Sequence, residues 1–95
     1  MAEEQIEQRG FRVTGRVQGV FFRAWTQALA RELGIRGTVR NRDDGSVEAH
    51  ARGPLEALED FQERLWEGPP ASKVEGVAVK ASDQDLPEAD FLILR

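Results

Sequence analysis

Apolar residues along this chain follow two rhythms. Phe11, Val13, Gly15 and Val17 alternate with Arg12, Thr14 and Arg16, the period of two that marks a half-buried strand. Phe22, Trp25, Leu29 and Leu33 then recur at helical spacing, with Ala24, Ala28 and Ala30 as good helix formers among them. Gly34 supplies the stop. Ile35, Gly37, Val39 and Asn41 share one face of a second strand, and Asp43 to Ser46 form a tight turn around an Asp-Gly pair. Val47, Ala49 and Ala51 line the inner face of a third strand, with Glu48, His50 and Arg52 pointing outward. Pro54, suited to a first helical position, opens a second helix striped by Leu55, Leu58, Phe61 and Leu65 and widened by Trp66. Gly68 to Ser72 end it. Val74, Val77 and Val79 predict a fourth strand whose phase shifts around Gly76. After a polar loop from Ser82 to Asp90, the segment Phe91 to Arg95 has the composition of a short additional strand.

Strand, helix, strand, strand, helix, strand is the split βαβ order. It predicts an α+β fold of the ferredoxin-like βαββαβ type: an antiparallel four-stranded sheet, with room for a short fifth strand, and two helices on one face. The other face is expected to be open. The 95 residues suffice for one small domain with one core. We place a polar N-terminal extension at residues 1–8 and the single domain at residues 9–95.

This order brings two chain segments to one sheet edge. A helix joins the first and second strands, so they run parallel with the third strand between them. Their C-terminal ends then lie two strand spacings apart, roughly 10 Å, room for a tetrahedral anion and a water. The first of these ends continues as Gly-Arg-Val-Gln-Gly-Val-Phe-Phe-Arg, residues 15–23. Gly19 permits backbone angles that a Cβ would forbid. The successive N–H groups of Gln18, Gly19, Val20, Phe21, Phe22 and Arg23 can then converge into a nest for an oxyanion. The positive end of the following helix points to the same place, and Arg23 adds a planar fork that matches two phosphate oxygens. A plain glycine turn with a surface arginine fits this stretch as well. The second end carries Asn41, on the helix-covered face by parity, aimed at the start of the first helix. An asparagine that satisfies its own backbone ahead of a tight turn is the alternative there.

Charge sharpens the picture only slightly. The net charge is −4, which argues against nucleic acid as a partner. Residues 9–52, however, carry nine arginines against Glu32, Asp43, Asp44 and Glu48. That positive half contains the loop and would draw in small anions. There is no cysteine, so disulfides, thiolate metal sites and a cysteine nucleophile are excluded. The single histidine, His50, builds no metal site alone; it points outward by parity and is expected to be structural or idle. Asp43 and Asp44 read as solvated turn residues. No run approaches the roughly 20 apolar residues of a membrane span. The acidic, polar N-terminus lacks the pattern of a signal peptide, so a cytoplasmic location is expected.

The segments GRVQGVFFRAW, LGIRGTVRNRDDGSVEAHARGP and WEGPPASKVEGV, in this order and spacing, resemble the acylphosphatases. The resemblance covers nearly the whole chain from Phe11. It implies hydrolysis of the carboxyl–phosphate anhydride of small-molecule acyl phosphates, with no metal and no cofactor. It also implies that Gln18 to Arg23 cradle the phosphate, that Arg23 binds the phosphoryl group and that Asn41 positions the attacking water. Inorganic phosphate or sulfate would then bind as product or inhibitor. A monomer is expected, with neither nucleic acid nor membrane as partner. Two departures stand out: Thr38 occupies a position that is often aromatic in the family, and the chain stops at Arg95 where a tyrosine often follows. The chemistry fits the residues, because an acyl phosphate expels a carboxylate whose conjugate acid has a pKa of about 4. Such a leaving group needs no general acid, and the loop offers none.

Three other functions compete. Acylphosphatase-like domains also serve as modules of larger maturation proteins that handle carbamoyl phosphate. RNA-binding domains share the element order, but they need exposed aromatics where this chain places Arg12, Thr14, Glu48 and His50. Metal carriers of similar fold need the cysteines that are absent.

Overall fold

The computed structural model describes residues 5–95; residues 1–4, the first half of the expected extension, lie outside them. The elements are β1 (Ile6–Arg16), α1 (Phe22–Glu32), β2 (Arg36–Asn41), β3 (Val47–Pro54), α2 (Leu55–Leu65), β4 (Lys73–Ala81) and β5 (Phe91–Ile93). The strands form one sheet in the order β4-β1-β3-β2-β5. Every pairing is antiparallel except β2 with β5. The ferredoxin-like α+β fold is therefore present, and the short fifth strand exists.

Register fixes which side chains face the helices. Phe11 lies opposite Ala49 and Val13 opposite Val47, while Val39 lies opposite Ala49 and Ile93 opposite Val39. Phe11, Val13, Val39, Val47, Ala49 and Ala51 are all buried beneath the helices. Phe61 of α2 meets Phe11 edge-on with ring centroids 5.3 Å apart and Phe91 at 6.0 Å. Burying each such ring is worth roughly 1.5–3 kcal/mol of transfer free energy. Phe22, Thr26, Leu29 and Ala30 form the inward face of α1.

The phase shift expected around Gly76 is a bulge. Thr14 pairs with Gly76 but Gly15 pairs with Val74. Gly15 sits at φ 116, and a Cβ there would collide with the carbonyl oxygen of Lys73. Only glycine fits. The bulge turns the end of β1 before it enters the loop.

Three expectations differ from the structure. First, β1 starts at Ile6, so residues 6–8 of the polar segment are strand: Ile6, Glu7 and Gln8 pair with Pro54, Gly53 and Arg52. Second, the face away from the helices is partly covered. His50 does point to that face, yet it is only 6% exposed, because the chain after β4 folds over it and brings Ser82 Oγ to 2.6 Å from His50 Nδ1. Third, Asp44 is not simply solvated. Its carboxylate accepts from the Ser46 backbone N–H and hydroxyl and from Arg12, and these bonds, Ser46's foremost, pull its pKa from 3.8 to about 2.

Among the described residues, no helix is long and apolar enough to cross a membrane.

Candidate active site

The loop and the end of β2 do meet. A cavity of about 310 Å3 brings Gly19, Phe21, Phe22 and Arg23 together with Asn41, and Val17, Ala24 and Ile93 complete its wall. Asn41 lies opposite Val47, which lies opposite Val13 on β1. Its side chain is therefore on the helix-covered face, at the last position before the turn.

The loop backbone is shaped for open donors. Gly19 adopts φ 74, and nothing lies within 4 Å of where its Cβ would be. Phe21, the residue ahead of α1, also takes left-handed angles, φ 62 and ψ 22. Left-handed residues this close together, separated only by Val20, turn N–H groups to one side. Among the described residues, none of the main-chain N–H groups from Gln18 to Arg23 has a protein acceptor. Unpaired donors in a folded loop need water or an anion. No acidic residue occupies the first turn of α1 and no side chain caps it, so its positive end is unneutralised.

Arg23 is held by the residue that follows β5. Its Nη1 donates to the Leu94 carbonyl oxygen at 3.1 Å, and it pairs with no carboxylate among the described residues. Two further residues on the same stripe of α1, one and two turns along, fasten the same strand. Gln27 Nε2 donates to the Phe91 carbonyl at 2.8 Å. Arg31 makes a bidentate pair with Asp90, at 2.8 and 3.0 Å. Asp90 in turn accepts from the Phe91 N–H at 2.7 Å, and these bonds, Arg31's first, lower its pKa. Positions 23, 27 and 31 are spaced by four, one helical face. Gln27, Arg31, Asp90 and Ile93 did not stand out as site residues in the sequence; the signal they left there was that polar stripe ahead of an isolated apolar strand.

Gln18 and Val20 do not line the cavity. Val20 is buried at 7% exposure and anchors the loop to the core. The Gln18 side chain reaches across to the next turn, where Nε2 donates to the carbonyls of Arg42 at 2.7 Å and Ser46 at 2.9 Å. Loop and turn are thereby tied together just past Asn41. Thr38 lies opposite His50 on the other face and is absent from the cavity wall.

A second cavity of about 350 Å3 lies on that other face, between β1, β3 and β4. Two of its three cations are already neutralised, Arg12 by Asp44 and Arg42 by Glu48. Burial alone would raise the Glu48 carboxyl, but hydrogen bonds from Arg40 and Arg42 hold it below its ordinary value. No helix start opens there. Among the described residues, no three His, Cys, Asp or Glu side chains gather as a metal site.

A family model described as Acylphosphatase matches residues 9–93. An acylphosphatase of Rhizorhabdus wittichii is 53% identical over 72 residues, which span 76% of this chain and 73% of that protein. The crystal structure of acylphosphatase from Bacillus subtilis is similar at a TM-score of 0.87 and 41% identity, over 96% of this chain and all 100% of that one. The crystal structure of HypF from T. kodakarensis is similar at a TM-score of 0.78 and 31% identity, over 92% of this chain but only 11% of that one.

Proposed function

This chain belongs to the acylphosphatase family and hydrolyses acyl phosphates, and we propose that it does so with a backbone cradle, one arginine and one amide-held water. The single observation that carries this mechanism is the cavity in which Gly19, Phe21, Phe22 and Arg23 meet Asn41 at the start of α1. In it the phosphoryl oxygens accept from the N–H groups of Gln18 to Arg23, and the Arg23 guanidinium takes two of them. The Asn41 amide holds water in line with the bond to be broken. As the water oxygen bonds to phosphorus, the bond from phosphorus to the bridging oxygen breaks, and its electron pair leaves on the carboxylate. The water's proton passes to an oxygen of the departing product. Donors fixed in place before the reaction stabilise the charge spread over the phosphoryl oxygens.

A metal ion has no part in this scheme, so excess chelator leaves the rate unchanged. The proposal extends to a monomer working in the cytoplasm and to competitive inhibition by inorganic phosphate or sulfate. Its test is benzoyl phosphate hydrolysis by the isolated protein and by Asn41→Ala. The variant is expected to lose turnover while its inhibition constant for phosphate stays close to the native one. Near-native turnover would remove Asn41 from the mechanism. Failure of the native chain to hydrolyse benzoyl phosphate would favour a role as a phosphate-handling module, the alternative that the short match within HypF brings forward.

A further inference from the structure

The proposed scheme accounts for the phosphoryl group and the water, and leaves the acyl group without an assigned place. In-line attack sends the carboxylate away from the water that Asn41 holds, toward the rest of the wall. That wall is apolar: Val17, Phe21, Phe22, Ala24 and Ile93. Among the described residues Arg23 is the only charged one on it, and the phosphoryl group occupies Arg23.

Phe21 is the unusual member. It is 85% exposed and holds φ 62. A left-handed backbone suits glycine or asparagine, and a bulky side chain there carries a steric cost. Leaving a phenyl ring in water costs further free energy. Neither cost serves the core, which Val20 and Phe22 on either side of it already enter. Ile93, 38% exposed, reaches the same cavity from β5. Two exposed apolar side chains from different elements thus flank one opening.

We propose that Phe21 and Ile93 form the binding surface for the acyl group, selecting acyl phosphates with an aromatic or branched apolar acyl chain over small or charged ones. This rests on the cavity being the catalytic site. An apolar group entering the opening would cover both side chains and be covered in return. A charged tail would meet no partner there.

The test compares acetyl phosphate with benzoyl phosphate on the native chain and on Phe21→Asn and Ile93→Ser. Asparagine tolerates the backbone angles of position 21, and the serine variant keeps the proposal testable if the other fails to fold. The native KM is expected to be about tenfold lower for benzoyl than for acetyl phosphate, in keeping with partial removal of a phenyl ring from water. The ratio of kcat/KM for benzoyl over acetyl phosphate is expected to fall severalfold in each folded variant. Using the ratio cancels the intrinsic reactivity of the two substrates. A fall in either variant supports the assignment. An unchanged ratio in both overturns it, as does an equal native KM for the two substrates. Absence of hydrolysis with either substrate would instead overturn the catalytic reading of the cavity, and this proposal with it.

Discussion

The side-chain amide of Gln18 donates to the main-chain carbonyls of Arg42 and Ser46, at 2.7 and 2.9 Å, so the loop after β1 is bolted to the turn that follows Asn41. In Gln18→Met, which keeps length but loses both donors, Asn41 is no longer held against the loop. We expect kcat to drop roughly 10- to 100-fold, the scale set by ångström-sized misplacement of a reacting group. The inhibition constant for inorganic phosphate should hardly move. Gln18→Lys, whose ammonium can donate to both carbonyls, should recover most of the loss. Equal losses in turnover and phosphate binding would show that the amide merely stabilises the loop.

Arg23→Lys keeps the charge and discards the planar fork, so it should lower kcat/KM by about 10²-fold or more. Steady-state rates with benzoyl phosphate check this. A lysine variant with near-native activity would mean that charge alone suffices.

Gln27→Met tests whether β5 aims Arg23. The substitution leaves the Phe91 carbonyl without its donor, and a buried acceptor left unpaired costs about 1–3 kcal/mol. Denaturant unfolding should register that loss. If the strand shifts, the Leu94 carbonyl moves from Arg23, and kcat should fall severalfold although residue 27 lies a full helical turn from the cavity. Unaltered kcat with lowered stability would confine Gln27 to a structural part.

The Asp44 carboxyl titrates at about 2 when folded, against an ordinary 3.8, because Ser46 and then Arg12 favour its charged form. A depressed folded pKa means that the folded state is favoured above the ordinary value and loses this advantage as protons bind. The contribution should therefore be complete above about pH 4 and vanish as the pH falls from 3.8 towards 2. Asp44→Asn should flatten the stability profile across that window. Thermal unfolding at pH 5, 4, 3 and 2.5 (~half-unit control) compares the two chains, and parallel profiles would discard the assignment.

Thr26 is fully buried and its hydroxyl has no partner among the described residues. Thr26→Val replaces it with a methyl group of the same shape and similar helix propensity. Stability should rise by about 1 kcal/mol. A fall of that size in denaturant unfolding would mean that a water or an unseen partner satisfies the hydroxyl.

Much of this architecture was legible in the order of residues, and the reasons are local. Alternation along Phe11 to Val17 and the spacing of Phe22, Trp25, Leu29 and Leu33 announce their elements because burial on one side demands them. The placement of Asn41 followed from parity, since a strand offers only two faces. The polar start of β1 was hidden because Ile6, Glu7 and Gln8 join the sheet through backbone pairing with β3, which leaves no apolar rhythm. The burial of His50 depends on Ser82, distant in sequence. The stripe of Arg23, Gln27 and Arg31 looked like an ordinary wet helix face until Phe91 to Ile93 was seen to run beside it.

The strand order carries a kinetic consequence. β1 sits between β3 and β4, and its partners lie far along the chain: Arg9 pairs with Ala51 on one side and with Ala81 on the other. Closing such wide loops is entropically uphill before any contact repays it, so folding of this topology is slow for its size. The loop proposed to hold phosphate hangs from the end of that doubly flanked strand. On the proposed mechanism, affinity for an anion should therefore emerge only with the finished sheet, once both neighbours of β1 are in place.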